Sequence, residues 1–398
     1  MPSSVPGMTT NTGVSPFRID IPQADLDDLH DRITRTRWAR ALPGEDWSRG
    51  VPVGVLRELA EYWRDGFDWR AQEARLNGFP QFTTEIDGQD VHFLHVRSPE
   101  PGALPLVLTH GWPNSFVEFT DLIGPLTDPR AHGADPAQAF HVVVPSVPGF
   151  GFSAPPRETG WSVDRTARLW AELMARLGYD RYGTQGGDLG AYLAPAVARA
   201  DPAHVVGVHI NAGFGMPTEK DVPELTPDEL AQYQEMQKWM GGVDHHSLLR
   251  AAPQTFSYGW NDSPVAQLAW LLHKFKEFGM SVSPAKGAEA GQAGAEALSW
   301  ETALDRDLFL TNATVYWLTG TSGTSSWFMY DTTEFAWPEG QTAVPTGVFE
   351  GPPAIRRLAE RDNTIIHWPE GNAAAHFAAM DAPALLAREI RAFFGKVR

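Results

Sequence analysis

Arg181-Tyr-Gly-Thr-Gln-Gly-Gly-Asp-Leu-Gly190 is the stretch whose reading decides the fold. It lies between two helix-like runs, Trp170 to Leu177 and Ala191 to Arg199, and Gly186, Gly187 and Gly190 crowd around Asp188. This pattern predicts a nucleophile elbow. A strand bends sharply into a helix, one side chain stands at the bend, and small neighbours let the helix pack close to the strand. The commoner elbow carries Ser. An Asp there cannot act as a hydroxyl nucleophile, but it can attack an electrophilic carbon and form an ester that must then be hydrolysed. An Asp in a Gly-rich turn is also an ordinary helix N-cap. The turn alone does not choose between the two roles.

Working outward, the neighbouring segments alternate strand and helix. Leu104 to Thr109 is an apolar strand running into His110-Gly-Trp-Pro113, followed by a helix from about Ser115 to Ile123. Phe140 to Val144 is another strand, ending in Pro145-Ser-Val-Pro-Gly-Phe-Gly-Phe-Ser153. The elbow strand near Tyr182 and the strand Val205 to Ile210 follow. Such alternation predicts an α/β fold with a mostly parallel, doubly wound central sheet. Upstream, Phe82 to Ile86, Asp87-Gly88 and Val91 to Val96 predict a hairpin with a two-residue turn.

The chain divides into five expected segments. Residues 1–16 form a Ser/Thr/Pro/Gly-rich flexible tail. Residues 17–80 form a helical wrap: a short strand over Phe17 to Ile21, then helices over Pro22 to Arg37, Val53 to Arg64 and Trp69 to Leu76. Residues 81–213 are the first part of the core. Residues 214–326 are a helical, aromatic-rich lid, with helices over Pro227 to Met240 (capped by Thr226) and Pro264 to Phe278, and an exposed loop over Ser283 to Gly294. Residues 327–398 complete the core, with strands Thr342 to Phe349 and Thr364 to Trp368 and a closing amphipathic helix, Pro383 to Phe394.

Composition excludes several classes. Net charge is −17, which argues against nucleic-acid binding. With no cysteine there can be no disulfide, thiol nucleophile or thiolate metal site, and an oxidising compartment is not indicated. No run approaches the roughly 20 apolar residues of a membrane helix, so a cytoplasmic protein without a membrane anchor is expected. The 15 Trp and 21 Phe can line an apolar pocket as well as fill a core.

In a doubly wound sheet the chemistry gathers where strands end in loops. The backbone N–H groups of Trp112 and Leu189 are candidates for stabilising a developing negative charge. His376 stands after the final strand and before the final helix, placed to activate water against an Asp188 ester. Glu350, at the end of the Thr342 to Phe349 strand, can orient that histidine or be a surface residue in a Gly/Pro loop. Asp262 and Asp331 are the alternative acids.

The order nucleophile, acid, histidine is that of α/β-hydrolases. Nearly the whole chain resembles the microsomal-type epoxide hydrolases. The resemblance rests on Phe17 to Ile33 with Thr36-Arg-Trp38, Pro80-Gln-Phe82, His110-Gly-Trp-Pro113, Gly186-Gly-Asp188, Asn261-Asp-Ser-Pro264, Leu310-Thr-Asn312, Pro345-Thr-Gly347 and His376-Phe-Ala378. It implies that Asp188 attacks an epoxide carbon while lid tyrosines donate to the ring oxygen. A water activated by His376 then releases a vicinal diol. No metal or organic cofactor is implied; the partners are a small-molecule epoxide and water, with a homodimer possible. Tyr330 falls on one of the two family tyrosines, and His245 occupies the position of the other. Beside His245, the residues His110, Trp112 and Phe150 are expected at the substrate. Ala375 and Leu189 depart from the Gly and Trp usual in the family. The aromatic-rich lid favours a bulky apolar or aromatic epoxide. The alternatives are a haloalkane or haloacid dehalogenase using the same Asp–His chemistry, and a hydrolase-fold binding protein without turnover.

Overall fold

The computed structural model describes residues 13–44, 47–211, 215–242, 245–282, 302–331, 342–349, 355–369, 372, 374 and 376–398. The chain opens with β1 (Ser15–Phe17) and three helices, α1 (Gln23–Thr34), α2 (Val53–Asp65) and α3 (Trp69–Leu76). The hairpin β2 (Gln81–Ile86) and β3 (Gln89–Val96) follows, then β4 (Leu104–Thr109), α4 (Thr120–Thr127), β5 (Phe140–Pro145), α5 (Val163–Arg176), β6 (Tyr182–Gly187), α6 (Leu189–Ala200) and β7 (Val205–Asn211). Helices α7 (Pro227–Gly242), α8 (His245–Ala251), α9 (Pro253–Asp262) and α10 (Pro264–Glu277) lead to a short parallel pair, β8 (Met280–Val282) and β9 (Thr302–Leu304). Then come α11 (Arg306–Thr319), α12 (Thr321–Thr324), α13 (Trp327–Tyr330), β10 (Thr342–Phe349), α14 (Arg356–Asp362), β11 (Asn363–His367), α15 (Ala378–Asp381) and α16 (Pro383–Phe394).

The described strands form a nine-stranded sheet in the order β1-β2-β3-β5-β4-β6-β7-β10-β11. The first four pair antiparallel, and from β5 onward every pairing is parallel. Asp87 and Gly88 both have positive φ, 51° and 70°, as a tight hairpin turn requires. Glycine decides how closely helices approach the sheet. A Cβ at Gly183, on β6, would collide with Phe394 of α16, and one at Gly347, on β10, with Phe393. On the opposite face Gly186 lies against Gly190 of α6. The sheet is thus sandwiched, with α16 and α4 packed together on one side and α5 and α6 on the other.

The N-terminal helices lie against the inserted ones. Trp63 Nε1 donates to Thr314 Oγ1 at 2.8 Å, Tyr62 Oη donates to Asp307 Oδ1 at 2.6 Å, and Arg32 Nη1 donates to Asp262. The expected strand over Phe17 to Ile21 is displaced toward the N-terminus. Ser15 and Pro16, expected in the tail, pair with Thr83 and Phe82. Beyond Phe17 the backbone leaves the ladder because side chains of the wrap take its N–H groups: Ile19 donates to Asn77 Oδ1 and Ile21 to Glu73 Oε1. The helix expected over Ser115 to Ile123 begins as a 3₁₀ turn, Phe116–Phe119, before α4. Thr226 does cap α7, with Glu229 reaching back to its N–H. The β8–β9 pair is a departure from the all-helical expectation for this region. The loop expected over Ser283 to Gly294 lies outside the described residues.

Candidate active site

The turn from β6 into α6 places Asp188 at φ 52° and ψ −123°, a positive-φ conformation that residues with a side chain rarely adopt. Glycine makes it attainable. A Cβ at Gly190 would collide with the Thr109 carbonyl at the end of β4, and one at Gly111 would come within 2.5 Å of Asp188 Cβ. The elbow is therefore closed from both sides. Asp188 does cap its helix, since Oδ1 accepts from Leu189 N at 2.7 Å. A cap alone needs nothing more. Here the same oxygen also accepts from Trp112 N at 2.8 Å, on the loop after β4.

The other oxygen faces the C-terminal part of the chain, where His376 Nε2 lies 3.0 Å from Asp188 Oδ2. The imidazole is stacked on Phe278 at 4.3 Å, the rings 17° apart, and meets the Phe377 ring edge-on at 4.8 Å. Burial pushes the Asp188 carboxyl up. The hydrogen bond and charge of His376, with the N–H groups of Trp112 and Leu189, outweigh it and hold the group below the ordinary range. The carboxylate is therefore ionised at neutral pH, with its side chain only 20% exposed.

The loop carrying Trp112 is held from beneath. His110 Nε2 accepts from Val147 N at 3.1 Å, which leaves Nδ1 as the protonated nitrogen, donating to the Gly111 carbonyl at 3.1 Å. Burial brings its pKa down to about 4, so it stays neutral. Gly111 N donates to Glu118 Oε2 at 3.2 Å, and burial pushes the Glu118 carboxyl up to about 8. From α11, Asn312 Nδ2 donates to the Pro113 carbonyl at 2.9 Å and Tyr316 Oη to that of Asn114 at 2.8 Å. The Asn312 amide also accepts from Ser115 Oγ at 2.7 Å.

Comparison with known proteins fits this geometry. Residues 14–119 match the family described as epoxide hydrolase N terminus, and residues 105–250 match the alpha/beta hydrolase fold. A Stigmatella aurantiaca protein provisionally named an epoxide hydrolase is 41% identical over 97% of this chain and 86% of its own length. Epoxide hydrolase 1 of Sus scrofa is 32% identical over 99% of this chain and 91% of its own. The solved epoxide hydrolase of Aspergillus niger superposes with a TM-score of 0.81 at 28% identity, covering 96% of each chain. The chain belongs to the microsomal-type epoxide hydrolase family. It is an epoxide hydrolase, an ether-bond hydrolase on the alpha/beta hydrolase fold, and its family implies an epoxide and water as substrates. No described helix is long and apolar enough to cross a membrane.

His245 opens α8 and stacks on the Trp112 indole at 4.9 Å, above the loop that holds Asp188. Tyr330 ends α13, which packs on α8; its side chain is 41% exposed, and no described hydrogen bond joins it to Asp188. His110 and Phe150, also expected at the substrate, are fully buried. Both His110 ring nitrogens are taken by backbone groups, and Phe150 packs between His110 at 5.0 Å and Tyr316 at 6.5 Å. They support the loop from below. Glu350 and Ala375 lie outside the described residues. Of the alternative acids, Asp262 is tied to Arg32, and Asp331 Oδ2 accepts from Trp161 N at 2.9 Å.

The sequence reading did not assign roles to Phe278, Glu118, Asn312 or Tyr316. Asn312 sat within a quoted motif, and Phe278 closes a helix whose apolar spacing was visible. Glu118 carried a signal only in retrospect: a carboxylate inside the apolar run Phe116-Val-Glu-Phe119 must be buried.

Proposed function

We propose that this epoxide hydrolase opens a bulky apolar or aromatic epoxide to a vicinal diol through a covalent ester on Asp188. The observation that carries the reading is the division of labour between the two carboxylate oxygens. Oδ1 is held by two backbone N–H groups, while Oδ2 is left facing His376 at 3.0 Å.

In the first step, Asp188 Oδ2 forms a bond to an epoxide carbon and the carbon–oxygen bond of the ring breaks. The released electron pair goes to the ring oxygen, which takes a proton from a lid donor, His245 or Tyr330. In the second step, His376 takes a proton from water as the hydroxide adds to Asp188 Cγ. The negative charge that develops on Oδ1 is met by Trp112 N and Leu189 N. Collapse breaks the Cγ–Oδ2 bond, and the leaving oxygen takes the proton back from His376. Asp188 then loses the remaining proton to solvent, and the lid donor regains one. A placed carboxylate and a placed acid suffice because the three-membered ring is already strained. The rings gathered near Asp188 support an apolar or aromatic substrate: Trp112 with His245, Trp270 at 6.0 Å from Trp112, and Phe278.

The test is His376→Gln. This variant should form the ester and fail to hydrolyse it, so intact-protein mass should rise by the mass of one substrate and stay there. Steady diol production by the variant would remove the role assigned to His376. Dehalogenation is favoured by one observation: the buried indole N–H groups of Trp112 and Trp270 have no hydrogen-bond partner among the described residues, and a departing halide needs such donors. Chloride release from a chloroalkane would select that reading.

A further inference from the structure

The steps above leave a buried group of charges on α10 unused. The Glu277 carboxylate receives two hydrogen bonds from Lys274 Nζ, at 3.0 and 2.9 Å, and the Lys274 side chain is wholly buried. The same ammonium lies 4.4 Å from the centroid of the Trp270 ring. His273 Nε2 is 3.4 Å from Glu277 Oε1. On the side toward the site, Glu277 Oε2 is 3.9 Å from His245 Nδ1. His245 is 3% exposed, and that nitrogen has no hydrogen-bond partner among the described residues.

Burying an ion pair is costly, and a well-packed apolar pair is often at least as stable. A structural role alone therefore gives little reason for Lys274 and Glu277 to sit beneath the aromatic lid. Their position relative to His245 gives one. A carboxylate fixed by a lysine, with its second oxygen turned to an imidazole, stabilises the imidazolium and sets which nitrogen faces away from it. The face of the same ring lies on Trp112, whose backbone N–H holds Asp188.

We infer that Glu277 is the positioning residue for His245: held by Lys274, its carboxylate orients the ring with Nδ1 toward itself and stabilises the imidazolium whose Nε2–H protonates the opening epoxide oxygen. This rests on the reading of His245 as a proton donor in ring opening. When the carbon–oxygen bond breaks, the Nε2 proton moves to the ring oxygen and His245 becomes neutral. It regains a proton from solvent when Asp188 gives one up at the end of turnover. The other charged or titratable groups nearby are His246, which meets the His245 ring and feels the charges of Asp188 and Arg250, His273 and Lys274 on α10, Tyr330 at the end of the helix packed against α8, and Asp331 just after it. Lys274 and Arg250 oppose a cation here. Glu277 is the anion closest to Nδ1 among the described residues.

The experiment is the rate of ester formation with styrene oxide, followed by rapid quench across pH 5.5 to about 9.5, a window wide enough to cover histidine titration, on the full chain. The wild-type rate should fall on the alkaline side as His245 loses its proton. Glu277→Gln should move that limb down by about one pH unit and slow ester formation about tenfold near pH 8. Ester hydrolysis, which His376 governs, should be unchanged, and Glu277→Asp should recover part of the shift. His245→Gln should slow ester formation and abolish the limb, and adding Glu277→Gln to it should change nothing further. If Glu277→Gln leaves Lys274 unpaired and the protein does not fold, Glu277→Asp keeps a partner for Lys274 while its shorter side chain draws the carboxylate away from His245 Nδ1, and it should move the limb down part of the way. A wild-type alkaline limb in folded Glu277→Gln, or in Glu277→Asp where Glu277→Gln does not fold, with His245→Gln still slow, overturns the role of Glu277 and leaves His245 as the donor. Unchanged ester formation in His245→Gln overturns the donor reading itself.

Discussion

At the scale of single residues, the site depends on two carboxyl groups driven in opposite directions by their surroundings. Asp188 gains the hydrogen bonds and the imidazole that keep it ionised. Glu118, buried under the Trp112 loop, has one described N–H donor, and the nearby Asp188 charge raises it further. Its carboxyl goes from 4.5 in an unfolded chain to about 8 in the fold, so the folded state holds a proton that the unfolded chain releases. The stability tied to that proton is fully present below about pH 4.5 and is lost as pH rises toward 8. Glu118→Gln retains an acceptor for Gly111 N and has no proton to lose. Its melting temperature, relative to wild type, should therefore climb between those pH values, by an amount on the order of a few kcal/mol in stability. A constant difference across the range, seen by calorimetry, would mean that Glu118 is ionised in the folded protein. None of this was visible in the sequence beyond one acidic residue in an apolar run. Asp188 was legible because a carboxylate among three glycines at a strand-to-helix turn is unusual. His376 was legible because it is the histidine between the last strand and the last helix.

At the scale of elements, the glycines set how loops and helices meet. Gly190 lets α6 approach the end of β4, and Gly111 lets the Trp112 loop approach Asp188. Their substitution should give different results. Gly190→Ala places a methyl against the Thr109 carbonyl, backbone against backbone, and should cost at least ~3 kcal/mol, seen as a large fall in melting temperature. Gly111→Ala instead meets the Asp188 side chain, at 2.5 Å from Cβ. It should lower kcat by about a hundredfold or more, with a smaller loss of stability. Equal loss of stability in both variants, with activity per folded molecule intact in Gly111→Ala, would contradict this assignment. Much at this scale was readable in advance. β10 and α16 span the expected residues, and the Asp87-Gly88 turn is where its dipeptide put it. The misses have local causes. β1 ends at Phe17 because Asn77 and Glu73 compete for the next backbone N–H groups. α5 begins at Val163, earlier than Trp170, because Ser162 caps it with a side-chain bond to Arg165 N. β8 and β9 are three residues each, too short for any alternation to register.

At the scale of the whole molecule, the N-terminal wrap, the inserted helices and the sheet are joined by long-range bonds. Trp63 to Thr314 and Tyr62 to Asp307 tie α2 to α11, and α11 in turn holds the Trp112 loop through Asn312 and Tyr316. We propose that the wrap and lid unfold together with the core. Trp63→Phe should lower the melting temperature by a few degrees, about 1–2 kcal/mol, while keeping a single transition and leaving activity at low temperature intact. A separate early transition in that variant would show that the wrap melts alone. These contacts were not legible in the sequence, because partners some 250 positions apart carry no shared local pattern. The same holds for Glu277 and His245: their residue types were visible, but their approach depends on how α8 and α10 pack.

The central claim is that the oxygen entering the product comes first from Asp188. A single turnover with enzyme in excess, run in water enriched in heavy oxygen, tests it directly. The first diol released should carry ordinary oxygen from the protein, and one heavy atom should remain in the peptide containing Asp188. A first diol already labelled from solvent, with that peptide unlabelled, would mean that water attacks the epoxide directly and that no ester forms.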